Sequence, residues 1–158
     1  MPLRTAGRDV KLIAALLTTA ENEARALGDA EPGAEHVLLA ALLIDDASAR
    51  DAAGVSADRA RQALVAVHAE SLAAVGVTAP EFDAPLPPAR GVYRSEVSTH
   101  EVFQRARELA KHSPSGLRSA HVLLAVAERE HGTAARVLTQ LGLERASVIE
   151  SAHRVLAD

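Results

Sequence analysis

The sequence predicts an all-α protein, two pseudo-symmetric four-helix repeats packed as one eight-helix bundle. Three observations predict it. Of its 158 residues 48% are apolar but only 2% are aromatic, and the alanine- and leucine-rich mixture that results favours helices over strands. Apolar residues recur at helical spacing in segments closed by glycine. The phrase HVLLA is also written twice, in EHVLLAALL from Glu35 and in AHVLLAVAE from Ala120. One copy alone would leave an apolar helix face uncovered, whereas two copies cover each other.

In chain order, Val10, Ile13, Leu16, Leu17, Ala20, Ala24 and Leu27 trace one face of a first helix over about 9–27, which Gly28 stops. A second helix runs over about 34–45. The short ASARDAA segment forms a third that ends at Gly54, and Ser56 caps a fourth reaching about Val75. From Gly76 to Arg94 the text GVTAPEFDAPLPPARGVYR holds four prolines and cannot be helix interior. Ser98 or Thr99 then caps a fifth helix whose buried face is Val102, Phe103, Ala106, Leu109 and Ala110. HSPSGLRSAHVLLAVAERE repeats GDAEPGAEHVLLAALLIDD, and AARVLTQLGLERASVIESAHRVL repeats SARDAAGVSADRARQALVAVHAE. The chain therefore divides as one unit over 1–158, with repeat one at about 9–75, a linker at about 76–98 and repeat two at about 99–158.

Several function classes find no support. A formal charge of −4 gives no bulk attraction to nucleic acid or to anionic membrane. Without cysteine there is no disulfide, thiol catalysis or thiolate metal site, which is compatible with a reducing, cytoplasmic setting. The basic-then-apolar N-terminus imitates a signal peptide, but its helical face continues through the charged residues that follow, so a structural first helix is the better reading. No segment approaches the ~20 apolar residues of a membrane span. No GxxxxGK[ST] loop is present to cradle nucleotide phosphates, and no GxSxG or comparable nucleophile arrangement occurs. Seven histidines invite a metal reading. There is no HExxH, however, and His36 and His121 stand near helix starts, where a half-buried ring bonded to a neighbouring loop is the simpler account. DAAGVSADRARQALVAV imitates a helix-turn-helix, yet the repeated stretch carries Glu144 and Glu150 on the same helix, so Arg59 and Arg61 read as a solvated face. A basic group at Arg105, Arg107, Lys111, His112 and Arg118 reads as an exposed face interleaved with Glu101 and Glu108, or alternatively as a surface for an anion or a peptide. The prediction is a non-enzymatic protein without cofactor or metal.

The doubled text carries a family resemblance. EARALGDAEPGAEHVLLAALL with ARDAAGV, and RELAKHSPSGLRSAHVLLAVAE with GTAARVLTQLGL, resemble the repeat found twice in the N-terminal domain of Clp unfoldases, most of all the ClpC type. The resemblance covers practically the whole chain. It implies a module that binds client proteins or adaptors for Clp proteolysis, with the ATPase ring itself as a further candidate partner and neither nucleic acid nor membrane among them. A stand-alone decoy or regulatory protein with vestigial pockets is the alternative. In the family the two GTEH segments form pockets for phosphoarginine, a mark on clients, in which the helix start and threonine meet the phosphate and glutamate meets the guanidinium. Carried over by position, the candidate ligand-binding residues are Gly33, Ala34 and Glu35 in the first copy and Arg118, Ser119 and Ala120 in the second. The first copy keeps the carboxylate and lacks the hydroxyl; the second keeps a hydroxyl and lacks the carboxylate. The aromatic residue such domains carry near the N-terminus is missing from MPLRTAG, which puts the adjoining peptide surface in doubt.

Overall fold

A computed structural model describes residues 3–78 and 96–158. It contains α1 (Leu3–Ala26), α2 (Ala34–Leu43), α3 (Ser48–Ala53), α4 (Ala57–Ala74), α5 (Val97–Ala110), α6 (Ser119–Ala127), α7 (Thr133–Gln140) and α8 (Arg145–Ala157). No strand occurs among the described residues. Most of the proline-rich linker lies outside them.

The order of packing is interlocked. Helix α1 lies on α2 and α5 on α6, but α3 packs against α8 and α4 against α7, so the late helices of each half cover the other half. At the centre α2 meets α6. These two carry the doubled phrase and are apolar on every side, which suits only a helix enclosed all round. Val37, Leu38 and Leu39 of α2, and Val122, Leu123 and Leu124 of α6, are each at most 1% exposed. Neither half completes a core alone.

The boundaries correct several expectations. Helix α1 begins well before Asp9, because Asp9 does not cap its own helix; its carboxylate accepts from the Leu117 N–H at 3.0 Å, in the second half. On its face Leu16, Ala20 and Ala24 are buried, whereas Val10 is 67% exposed. Helix α2 stops at Leu43, where Ile44 turns extended. Arg50 reaches back there and donates to the carbonyls of Leu42 and Ile44 at 2.9 and 2.8 Å. Arg145 closes the end of α6 in the same manner, through the carbonyls of Ala127 and Glu128. Ser56 caps α4 as expected, accepting from the Arg59 N–H. Gly54 ends α3 at φ +67, a conformation a side chain would resist. Helix α5 is capped by neither Ser98 nor Thr99; Glu96 holds the N-cap position and both hydroxyls are used across the fold.

Arg61 is also not part of a solvated face. Its guanidinium makes two 2.9 Å bonds to the Glu23 carboxylate and so ties α4 to α1.

Leu39 and Leu124 are both 1% exposed in the shared core. Truncating either to alanine should cost about 2–5 kcal/mol, a large part of an ordinary domain's stability. Denaturant unfolding monitored by helical dichroism checks this, and two variants as stable as the parent would contradict the shared core.

Candidate functional site

The candidate residues stand at the first turns of α2 and α6. A helix start carries N–H groups with no partner in the helix and a partial positive charge. Buried starts must find acceptors, and the two halves find them differently.

At α2 the Gly33 N–H donates to Nδ1 of His36 at 2.9 Å. This fixes the tautomer: Nε2 carries the proton and donates to Oδ2 of Asp29 at 2.9 Å. The Ala34 N–H donates to the Ser98 hydroxyl at 3.1 Å. Thr99 donates its hydroxyl to the Pro32 carbonyl at 2.6 Å, and the Glu96 N–H donates to the same carbonyl. The start of α5 is thereby laid over the start of α2. Above Gly33 two carboxylates converge. A Cβ built on that glycine would lie 2.6 Å from Oε2 of Glu96 and 2.8 and 2.9 Å from the two Glu35 oxygens, so a side chain there would push the carboxylates aside. Glu35 is 8% exposed, Glu96 exposed.

At α6 the amides are closed by the segment ahead of α3. Ser119 N–H donates to Oδ2 of Asp46 at 2.6 Å, and Ser48 N–H donates to Oδ1 at 3.0 Å. The two serines then cap each other's helices. The Ala120 N–H donates to the Ser48 hydroxyl at 2.9 Å, the Ala49 N–H donates to the Ser119 hydroxyl at 3.0 Å, and the hydroxyls lie 2.9 Å apart. Ser119 is wholly buried and Ser48 2% exposed. The Arg118 N–H donates to Nδ1 of His121 at 3.0 Å. Burial alone would push the Asp46 carboxyl up, but the N–H groups of Ser119 and Ser48 and the charge of Arg118 outweigh it, and the group sits below the usual carboxylate range. An internal carboxylate thus occupies the anion position at this helix start.

The structure therefore brings Gly33, Ala34 and Glu35 together under Glu96 and Ser98, and brings Ser119 and Ala120 onto Asp46 and Ser48. The Arg118 side chain turns away to the Val155 carbonyl at the end of α8. Glu96, Asp46, Ser48 and Asp29 were not singled out by the sequence, and Ser98 was singled out only as a helix cap. Both helix-start histidines are fully buried, not half-buried, at 1% and 3% exposure, and each closes its own helix start. For His121 burial disfavours the charged ring, and the nearby Arg118 charge adds to this. Of the basic group, Arg105 lies on an exposed face and bonds Glu128 and Glu108. Among the described residues no group of three or more His, Asp or Glu is placed to hold a metal, and no helix is long and apolar enough to cross a membrane.

No family model and no curated protein matches this sequence. Among solved structures, the N-terminal domain of the caseinolytic protease associated chaperone ClpD from Arabidopsis thaliana superposes with a TM-score of 0.62 at 18% identity, over 91% of this chain and 94% of that one. The chain has a Clp N-domain-like fold. At that identity the likeness speaks for architecture, and it spans nearly the whole of both chains.

The Asp46 carboxylate should be worth about 1.5–3 kcal/mol at neutral pH, the range for hydrogen bonds to a charged group. Because its folded-state pKa is depressed, that contribution is present above the unfolded value and is lost as pH falls through the folded one. Asp46→Ala should therefore lower stability at pH 7 and approach the parent in strong acid. Paired unfolding curves across that range check both parts.

Proposed function

We propose that this chain is a non-enzymatic protein-binding module of Clp proteolysis, which recognises client proteins or adaptors through a guanidinium-bearing group at the start of α2. The observation that carries this reading is the convergence of Glu35 and Glu96 over Gly33 in a Clp N-domain-like fold. Two carboxylates facing one point suit a guanidinium, whose planar fork bonds carboxylates in pairs. A phosphoarginine would add a phosphate, for which the first turn offers the Glu35 N–H, which no described residue accepts, and beside it the Ala34 N–H. That N–H is held by Ser98, a half-buried residue whose hydroxyl would have to turn aside.

The start of α6 is a poorer candidate. Ala120 supplies no carboxylate to a guanidinium, and charge-assisted bonds of that kind make the difference of roughly 10- to 100-fold in affinity. Its amides are bonded to Asp46, Ser48 and His121. The lock between Asp46, Ser48 and Ser119 favours the second reading for this half, a vestigial pocket kept as architecture. If the first half is closed as well, the chain is a regulatory or decoy relative.

Calorimetric titration with free phosphoarginine, and with arginine as the unmarked control, tests the proposal. At most one site is expected, lost in Glu35→Ala and little changed in a folded Ser119→Ala variant. Two equal sites, or normal binding by Glu35→Ala, would overturn the assignment. The absence of binding by either compound would transfer support to the regulatory reading.

A further inference from the structure

The two buried histidines are held alike at Nδ1 and differ at Nε2. His36 donates its Nε2–H to Asp29. His121, with Nδ1 accepting from the Arg118 N–H, also carries its proton on Nε2, but the segment KHSPSGLRSA before it contains no acid. No described residue accepts from that Nε2–H. A buried donor without an acceptor costs about 1–3 kcal/mol, so such groups ordinarily have a partner. His121 is 3% exposed and lines a cleft of about 360 Å³ between α5, α6 and α8. That volume lies at the lower end for ligand pockets, about 300–1,000 Å³. Leu109, Leu124 and Leu156 form its apolar walls, and His112 and His153 line it as well.

We propose that this cleft binds an aliphatic carboxylate, with a carboxylate oxygen accepting from Nε2 of His121 and a short branched body lying against Leu109, Leu124 and Leu156. The chemistry is read from the protein's own first half, where the equivalent ring meets a carboxylate at 2.9 Å. No acidic side chain lines the cleft to repel it. The seat lies in a different place from the carboxylate pair above Gly33 and is independent of that assignment.

The test uses the full chain with nitrogen-labelled histidine, and 4-methylpentanoate as the probe. The acid should perturb the His121 ring nitrogens with an affinity on the order of millimolar, as befits so small a ligand. The matching amide should bind roughly tenfold or more weakly, since it forfeits the charge-assisted bond. Pro114→Asp, which offers an internal carboxylate beside the ring, and Leu156→Trp, which fills the cleft, should each abolish the response while melting like the parent. Two variants guard against the failure of one to fold. Tighter binding of N-acetyl-leucine than of the plain acid would assign the seat to a peptide C-terminus, and the reverse to a free acid; either supports the shared chemistry. An unperturbed His121 ring, equal binding of acid and amide, or binding unchanged in both variants would overturn the proposal.

Discussion

The rest of the structure depends on one constraint: the N–H groups at the starts of α2 and α6 are buried and must be bonded from within. Both helices are apolar on all sides and lie at the centre, so their first turns are served mainly by protein groups. A buried amide left without an acceptor costs more than a typical hydrogen bond contributes. The solution is to bring other elements over each start. The beginning of α5 covers α2 and takes the Ala34 N–H through Ser98, and the segment ahead of α3 closes α6 through Asp46 and Ser48. Because those elements come from the opposite half, satisfying the amides also fastens the halves together.

The serine pair has this consequence in its sharpest form. Ser48 and Ser119 are 71 residues apart in sequence, yet each hydroxyl caps the other's helix. A hydroxyl has one proton and two acceptor positions, and here the Ser119 oxygen donates to the Asp46 carbonyl while receiving the Ala49 N–H. No ligand could take this place without breaking contacts that hold α3 against α6. Function at this start would compete directly with the fold.

Much of the architecture was legible. The doubled phrase located the two central helices, and glycine and serine signals such as Gly54 and Ser56 marked ends correctly because they act within one helix. What failed were residues whose caps act across the fold. Asp9, Ser98 and Thr99 are good local cap formers, so each suggested a helix boundary nearby, but each spends its side chain on a distant backbone group. The candidate site was legible in part for the same reason. Glu35 and Ser119 stand out in the repeat, whereas Glu96 lay in text assigned to a linker and Asp46 in a loop, and nothing local says that either carboxylate would arrive at a helix start. Aligned on HVLLA, Asp46 falls opposite His131, and both copies carry two acids in this stretch, so the comparison gives no hint of a carboxylate at the start of α6.

The same comparison explains why the two halves differ in what they leave available. In the first, Asp29 satisfies the histidine, and the carboxylates of Glu35 and Glu96 remain gathered over Gly33, so the group on offer is an acceptor suited to a cation. In the second, Asp46 is drawn inward to the amides and no acid is hydrogen-bonded to the histidine, so the group on offer is an N–H donor suited to an anion. One fold with the same His-Val-Leu-Leu-Ala core therefore presents opposite chemistry at its two ends. The difference follows from where each half spends its carboxylates, since an acid bonded to a buried amide is no longer free to meet a ligand.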